Sequence, residues 1–215
     1  YKAIGIYQTQ EQVDNSAKTS NSVKVGDLWY EDISGPDGVP DGKISAEYDR
    51  VLLGGSLPRY EYGATIGASY KNLDFGLTIQ GVGKQNARIT KEMVEPLREN
   101  WGNIPTLLDG KVYSHYNTPE QNLKAKYPRL TRTNESNNYA MSDFWLFNGR
   151  YMRLKNVNFG YTLPKEWVNK IQTRNLRVYV TASDLFSLSK FPKGLDHEMV
   201  GNEYPITTSI VVGAS

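Results

Sequence analysis

The sequence predicts an all-β, antiparallel protein whose strands are joined by connections of very unequal length. Three observations carry this. Apolar and polar residues alternate with period two in several segments, the signature of strands with one apolar and one polar face. Tyrosine (15) far outnumbers phenylalanine (6) and is accompanied by 19 glycines, a composition that suits strands, tight turns and interfacial aromatics better than a helical core. Two polar excursions, residues 11–57 and 84–144, separate some strands, whereas Lys71-Asn72 joins two others across two residues.

In chain order, Tyr1-Lys2-Ala3-Ile4 already reads as a strand. Gly63-Ala64-Thr65-Ile66-Gly67-Ala68-Ser69-Tyr70 sets Ala, Ile, Ala and Tyr against Gly, Thr, Gly and Ser. Lys71-Asn72 then suits a tight turn, and Leu73 to Gln80 opposes Leu73, Phe75, Leu77 and Ile79 to Asp74, Gly76, Thr78 and Gln80, which together predict a hairpin. One helix is predicted over Thr90–Asn100. Val157, Phe159 and Tyr161 alternate with Asn158, Gly160 and Thr162; upstream, Tyr151, Arg153 and Lys155 share their parity, so a single face is expected to pass from apolar to charged. Pro164 to Arg174 has room for one helical turn. Asn175 to Ser183 and Ile206 to Ser215 complete the alternating segments.

Composition removes several classes. No stretch approaches the ~20 apolar residues of a spanning helix, whereas membrane β-strands, only half apolar, hardly alter a mean hydropathy of −0.56. Net charge is +2, from 25 basic and 23 acidic residues, against the basic excess of a nucleic-acid binder. Without cysteine there are no disulfides, thiolate metal sites or cysteine nucleophiles, and the only histidines, His115 and His197, leave almost no material for a triad. The chain opens on Tyr1-Lys2-Ala3-Ile4 with no secretory leader, as in a cytosolic protein or an interior piece of a longer one. Periodicity alone leaves two architectures open: a membrane β-barrel with a wet lumen, or a soluble secreted β-sandwich that binds glycans through aromatic loops. The alternation of short turns with very long loops favours the barrel.

From Ser142 to Pro164, and again from Asn175 to Phe186, the chain resembles the late barrel strands of SusC/RagA-type TonB-dependent outer-membrane transporters. Gly194-Leu195-Asp196-His197-Glu198 is similar to a further family motif, with His197 where proline is usual; Gly5-Ile6-Tyr7-Gln8 and Gly26-Asp27-Leu28-Trp29-Tyr30 match earlier ones. The resemblance implies that residues 1–215 are the C-terminal portion of a transmembrane β-barrel, about six strands of roughly 22, with long extracellular loops at about 11–57 and 84–144. The family's plug, its TonB box and the early strands are absent from this chain. It further implies an outer-membrane location in a Gram-negative bacterium and active import of oligosaccharides or oligopeptides. The partners implied are a SusD-like surface lipoprotein, TonB acting through the N-terminal region, the rest of the barrel and membrane lipid. Nucleic acid and catalysis play no part in that picture, and no cofactor is required.

Two groups of residues are candidate sites. The run Asp32-Ile33-Ser34-Gly35-Pro36-Asp37-Gly38-Val39-Pro40-Asp41-Gly42, with Asp49 beyond it, has the hard oxygens on a flexible turn that suit Ca²⁺. Asp32, Asp37, Asp41 and Asp49 are the candidate ligands; turns closed by Asp side chains are the alternative. Trp101, Tyr113, Tyr116 and Trp145, in the aromatic loop that also holds His115, Tyr127 and Tyr139, are candidate contacts to substrate or partner.

Overall fold

The structure is a computed structural model that describes residues 1–95, 104–198 and 204–215. In chain order the elements are β1 (Ala3–Ile6), α1 (Gln10–Asp14), β2 (Leu28–Tyr30), β3 (Tyr60–Tyr70), β4 (Leu73–Gly83), β5 (Asn86–Arg88), α2 (Lys91–Val94), α3 (Pro119–Leu123), α4 (Glu135–Asn138), a 3₁₀ turn (Asp143–Trp145), β6 (Leu146–Asn148), β7 (Tyr151–Thr162), α5 (Lys165–Lys170), β8 (Arg177–Ser189) and β9 (Ser209–Ala214). They form two compact units. A loop unit holds Tyr1–Gly54, Arg88–Phe147 and Pro192–Gly194; a sheet unit holds Gly55–Ala87, Asn148–Phe191 and Leu195–Ser215.

The sheet unit is one antiparallel sheet in the order β3-β4-β7-β8-β9. The predicted hairpin is β3–β4, and its register runs unbroken from Tyr70 opposite Leu73 to Tyr60 opposite Gly83. Lys71 turns the chain with a left-handed φ of 54°. Pro164, unable to continue the ladder, caps α5, which returns the chain from β7 to β8. The sheet therefore has five strands where about six are expected. The difference lies at the N-terminus, where β1 pairs with β2 in a separate two-stranded ribbon of the loop unit. Among the described residues β3 and β9 are edges and no barrel closes, consistent with a partial barrel wall. The helix expected over Thr90–Asn100 is a short α2; residues 96–100 lie outside the described residues.

Facing residues line up across all five strands. Ala68, Phe75, Phe159, Val180 and Val212 form one row, and Ile66, Leu77, Val157, Ala182 and Ile210 the next. The face they share is exposed: Ile210 retains 64% and Val212 74% of its surface. On the opposite face the rows read Gly67, Gly76, Asn158, Thr181 and Val211, then Thr65, Thr78, Asn156, Ser183 and Ser209.

The expected passage from apolar to charged along one face of β7 does not occur. Lys155 is an extra residue against β4, since Thr78 pairs with Asn156 but Ile79 pairs with Leu154. On the other side, Asp184 and Leu185 together oppose Lys155, with Asp184 at a φ of 51°. A bulge reverses side-chain parity beyond it. Leu154 and Met152 thus join the apolar face, in line with Phe186 and Leu188, while Arg153 moves to the polar face beside Gln80 and Ser187.

Tyrosines mark both ends of the apolar band. Tyr70 and Tyr161 flank Leu73 at the turn end; Tyr62 and Tyr60 stand opposite Gly81 and Gly83 at the other. A β-carbon at Gly81 would overlap the Tyr62 ring, so glycine there is what lets the ring lie flat across the strand. From Tyr62 to Tyr70 is eight steps at ~3.4 Å, and a tilt of about 40° leaves a band roughly 21 Å tall, comparable to the apolar belt of a membrane barrel.

Candidate functional site

The long excursions fold around a polar centre in the loop unit. Asp27 is completely buried. Its Oδ1 accepts from Asn138 Nδ2 (2.9 Å) and pairs with Arg129 Nε (2.7 Å). Its Oδ2 accepts from Asn134 Nδ2 (2.7 Å), Arg129 Nη2 (3.1 Å) and the Lys24 amide (2.9 Å). Asn137 donates to the Leu28 carbonyl and Asn138 accepts from the Leu28 amide, so β2 is held by side chains of α4 where a sheet would use backbone. Burying an ionised carboxylate is tolerable only with such full pairing. Around this centre pack Tyr7, Val13 and Val23, with Trp29 stacked on Tyr7.

The aromatic candidates separate. Trp145 is 2% exposed; it donates from Nε1 to the Asn138 carbonyl (2.8 Å) and stacks between Tyr127 and Tyr139. Its faces are spent on the loop unit's own packing, which removes it from the surface where a ligand could meet it. Trp101 lies outside the described residues. Tyr113 and Tyr116 do come together, with His115, Val25, Arg129 and Leu130, around a hollow of about 340 Å³. Tyr113 packs against Gly26, whose φ of +90° and lack of a side chain admit the ring. Tyr116 is 88% exposed and tilts against His115 at 3.9 Å between ring centres. Arg129 faces this hollow while tied to Asp27, so its guanidinium is a fixed donor plane and not a free charge.

The four aspartates do not form a common oxygen cage. Asp49 is buried and accepts from the amides of Ser45 (2.7 Å), Ile33 (2.8 Å) and Ser34 (3.3 Å). Burial pushes its carboxyl up, but these amide bonds and the Ser45 hydroxyl outweigh burial and hold it below the usual range. Asp32 Oδ2 accepts from the Gly42 amide and Asp41 Oδ1 from the Lys43 amide, while Asp37 is exposed. Among the described residues no group of three or more His, Asp or Glu is placed to hold a metal ion.

In the sheet unit the polar wall carries its own fixed charges. Arg177 meets Asp74 in a bidentate pair, Nε to Oδ1 at 2.9 Å and Nη2 to Oδ2 at 2.6 Å. Beside the bulge, buried Arg153 pairs with Asp196 (2.8 Å) and Glu198 (2.9 Å), and Lys155 with Asp184 (3.1 Å) and Glu198 (3.3 Å). Residues 195–198 are thereby clamped onto this wall, with His197 against the Tyr151 ring at 4.1 Å. Burial, then the Arg153 charge beside it, pushes the His197 imidazole down. Such a surface presents hydroxyls, amides and paired ions.

Sequence reading missed Asp27 with its asparagines and the Arg153 cluster. The available signals were the Gly26-Asp27-Leu28 match, the Asn134, Asn137 and Asn138 spacing on one helical face, and two cations standing in an apolar parity.

No family model matches the chain. It is 25% identical over 198 residues to TonB-dependent receptor P3 of Formosa agariphila and 29% identical over 190 residues to TonB-dependent receptor P26 of that species, covering 92% and 88% of this chain. TonB-dependent receptor SusC of Bacteroides thetaiotaomicron is 28% identical over 162 residues, 71% of the chain. Over most of its length the chain is similar to TonB-dependent receptors. It spans 18% of the length of each Formosa receptor and 14% of SusC. Among solved structures, the RagAB peptide transporter superimposes on 99% of the chain with a TM-score of 0.63 at 21% identity, and the RagAB peptide importer in its 'closed-closed' state does so with 0.62 at 20%. These likenesses show that the chain shares their fold, a partial antiparallel β-barrel with its loops.

Proposed function

We propose that this chain is a C-terminal part of the wall and extracellular loops of an outer-membrane, TonB-dependent importer in a Gram-negative bacterium. The observation that carries the reading is the five-stranded sheet itself: one face an exposed apolar band between two sets of tyrosines, the other a row of Gly, Thr, Asn, Ser and paired ions. Unpaired sheet edges in hydrocarbon cost several kcal/mol per group, so β3 and β9 continue into neighbouring strands of the complete polypeptide. The cargo is an oligosaccharide or oligopeptide that passes along the polar face; the homologous receptors and the RagAB fold support import. A SusD-like lipoprotein covers the mouth, and TonB acts on a plug in the remainder of the protein. Among the described residues the Tyr113–Tyr116 hollow is the candidate aromatic contact left available to cargo or lid. No bond is made or broken.

The test is fractionation of the complete polypeptide. It should resist alkaline extraction from outer membranes and migrate faster on gels unheated than boiled. Solubility without detergent would overturn the reading in favour of a soluble sandwich, whose Phe75 and Ile210 sides would be covered.

A further inference from the structure

We infer that the loop-side rim of the apolar band holds a binding site for the phosphorylated headgroup of a membrane glycolipid. The inference rests on the membrane reading above and on two observations that reading does not use. The first is a hollow of about 550 Å³ where β3, β4, β7 and β8 end, lined among others by Tyr60, Tyr62, Met152, Leu188, Arg150 and Lys190. The second is charge: Arg150 and Lys190 are exposed, and neither forms an ion pair among the described residues.

The bulge explains why these groups share a face. Met152 pairs with Leu188, and both belong to the apolar side beyond Lys155. One pleat period further along, Arg150 and Lys190 extend the same side past the last apolar row, since Tyr151 pairs with Ser189 between them. Tyr62 donates from its hydroxyl to the Tyr151 carbonyl (3.2 Å), which fixes that ring beside the hollow. The order from mid-band outward is therefore Leu154 and Phe186, then Met152, Leu188 and Tyr62, then two unpaired cations. An amphiphile with acyl chains and an anionic head has that same order. Arg59 and Lys84, at the neighbouring ends of β3 and β4, are also exposed and unpaired among the described residues, and add to the positive field. At the turn-side rim, by contrast, Lys71 lies over the Tyr70 ring at 5.3 Å. In the proposed orientation the loop-side rim meets the outer leaflet, so the occupant is the phosphorylated glycolipid of that leaflet and not free phosphate.

The complete transporter, purified in a neutral detergent, is titrated with phosphorylated lipid A in mixed micelles while its thermal midpoint is followed. Saturable stabilisation is expected. The double variant R150Q/K190Q should bind about 30-fold more weakly, from roughly a fivefold loss per cation near a charged surface; R150E/K190E should bind more weakly still. Equal affinity in wild type and the glutamine variant overturns the inference. So does equally tight binding of dephosphorylated lipid A, or saturation of the same shift by inorganic phosphate. If the glutamate variant loses heat-modifiable migration, the glutamine variant gives the result. A wild-type protein that fails membrane extraction sinks the membrane reading; one firmly in the membrane that ignores the lipid's phosphate sinks this inference alone.

Discussion

In the loop unit the groups withdrawn from water include Asp27, Asp49, Asn134, Asn137 and Asn138 alongside Tyr7, Leu28 and Trp145. In the sheet unit Phe75, Phe159, Val180 and Val212 stand exposed, and the charge that is buried, Arg153, sits on the polar side. One chain thus contains two opposite solutions to burial. Residues that connect strands with little more than the short β1–β2 ladder of their own must satisfy many backbone groups with side chains, so amides and a carboxylate become the organising core. A sheet that makes all its backbone bonds internally is free to turn its apolar side outward, provided that side meets lipid.

Four experiments on the complete protein break or sharpen this contrast. Asp27→Ala leaves Arg129 and the asparagine donors buried without their acceptor, and should cost the loop unit about 3–5 kcal/mol; protease protection of residues 1–54 reads it, and near-wild-type protection would show that the polar centre is incidental. Val212→Arg places a charge on the apolar face at about 2–4 kcal/mol and should impair barrel assembly, whereas Val211→Arg, one residue away on the polar face, should assemble normally. Equal heat-modifiable migration of the two variants would erase the distinction between faces. Asp41→Ala should lower loop-unit stability by less than about 1 kcal/mol, through one lost turn bond, and equally with and without calcium; a calcium-dependent difference would restore the aspartates as ligands.

The smallest effect concerns pH. His197 is pushed down in the folded protein, so its contribution to stability is present above its ordinary value of 6.5 and is lost as pH falls through the lowered folded value. It faces Tyr151, Arg153, Lys155, Asp196 and Glu198. Burial pushes the Asp196 carboxyl up, but the Glu198 and Ile206 amides and Arg153 bring it below its usual range, so it adds a loss of the same sign at still lower pH. The hydrogen-exchange protection of residues 195–198, with the intrinsic pH dependence of amide exchange divided out, should fall on going from about pH 7.5 to about pH 5; unchanged protection would remove this clamp as a source of order.

The sheet was largely legible because strand parity is a one-dimensional signal. Leu73, Phe75, Leu77 and Ile79 declare their face without reference to anything distant. The bulge was not, since nothing local distinguishes Lys155 as an inserted residue from Lys155 as a charge on the apolar side; only the partners Ile79 and Phe186 decide it. The loop unit was least legible, because asparagine and aspartate in a polar stretch ordinarily mean solvent. Asn134 and Asp27 are 107 positions apart, and their meeting is a tertiary fact. Trp145 misled for a related reason: aromatic content identifies a residue able to stack, and only packing says whether its partner is a ligand or Tyr127.

The extra residue in β7 has a consequence for inheritance. Deleting the single codon for Lys155 would let Leu154 follow Asn156 in plain alternation against Ile79 and Thr78, so Met152 and Leu154 would stay on the apolar face and Arg153 on the polar one. Deleting a residue at a regular position of β7 would instead invert every side chain on one side of it, so one-residue changes in this wall should be tolerated where a bulge can absorb them, as Lys155 and the facing Asp184 do here, and be harsher than most substitutions elsewhere.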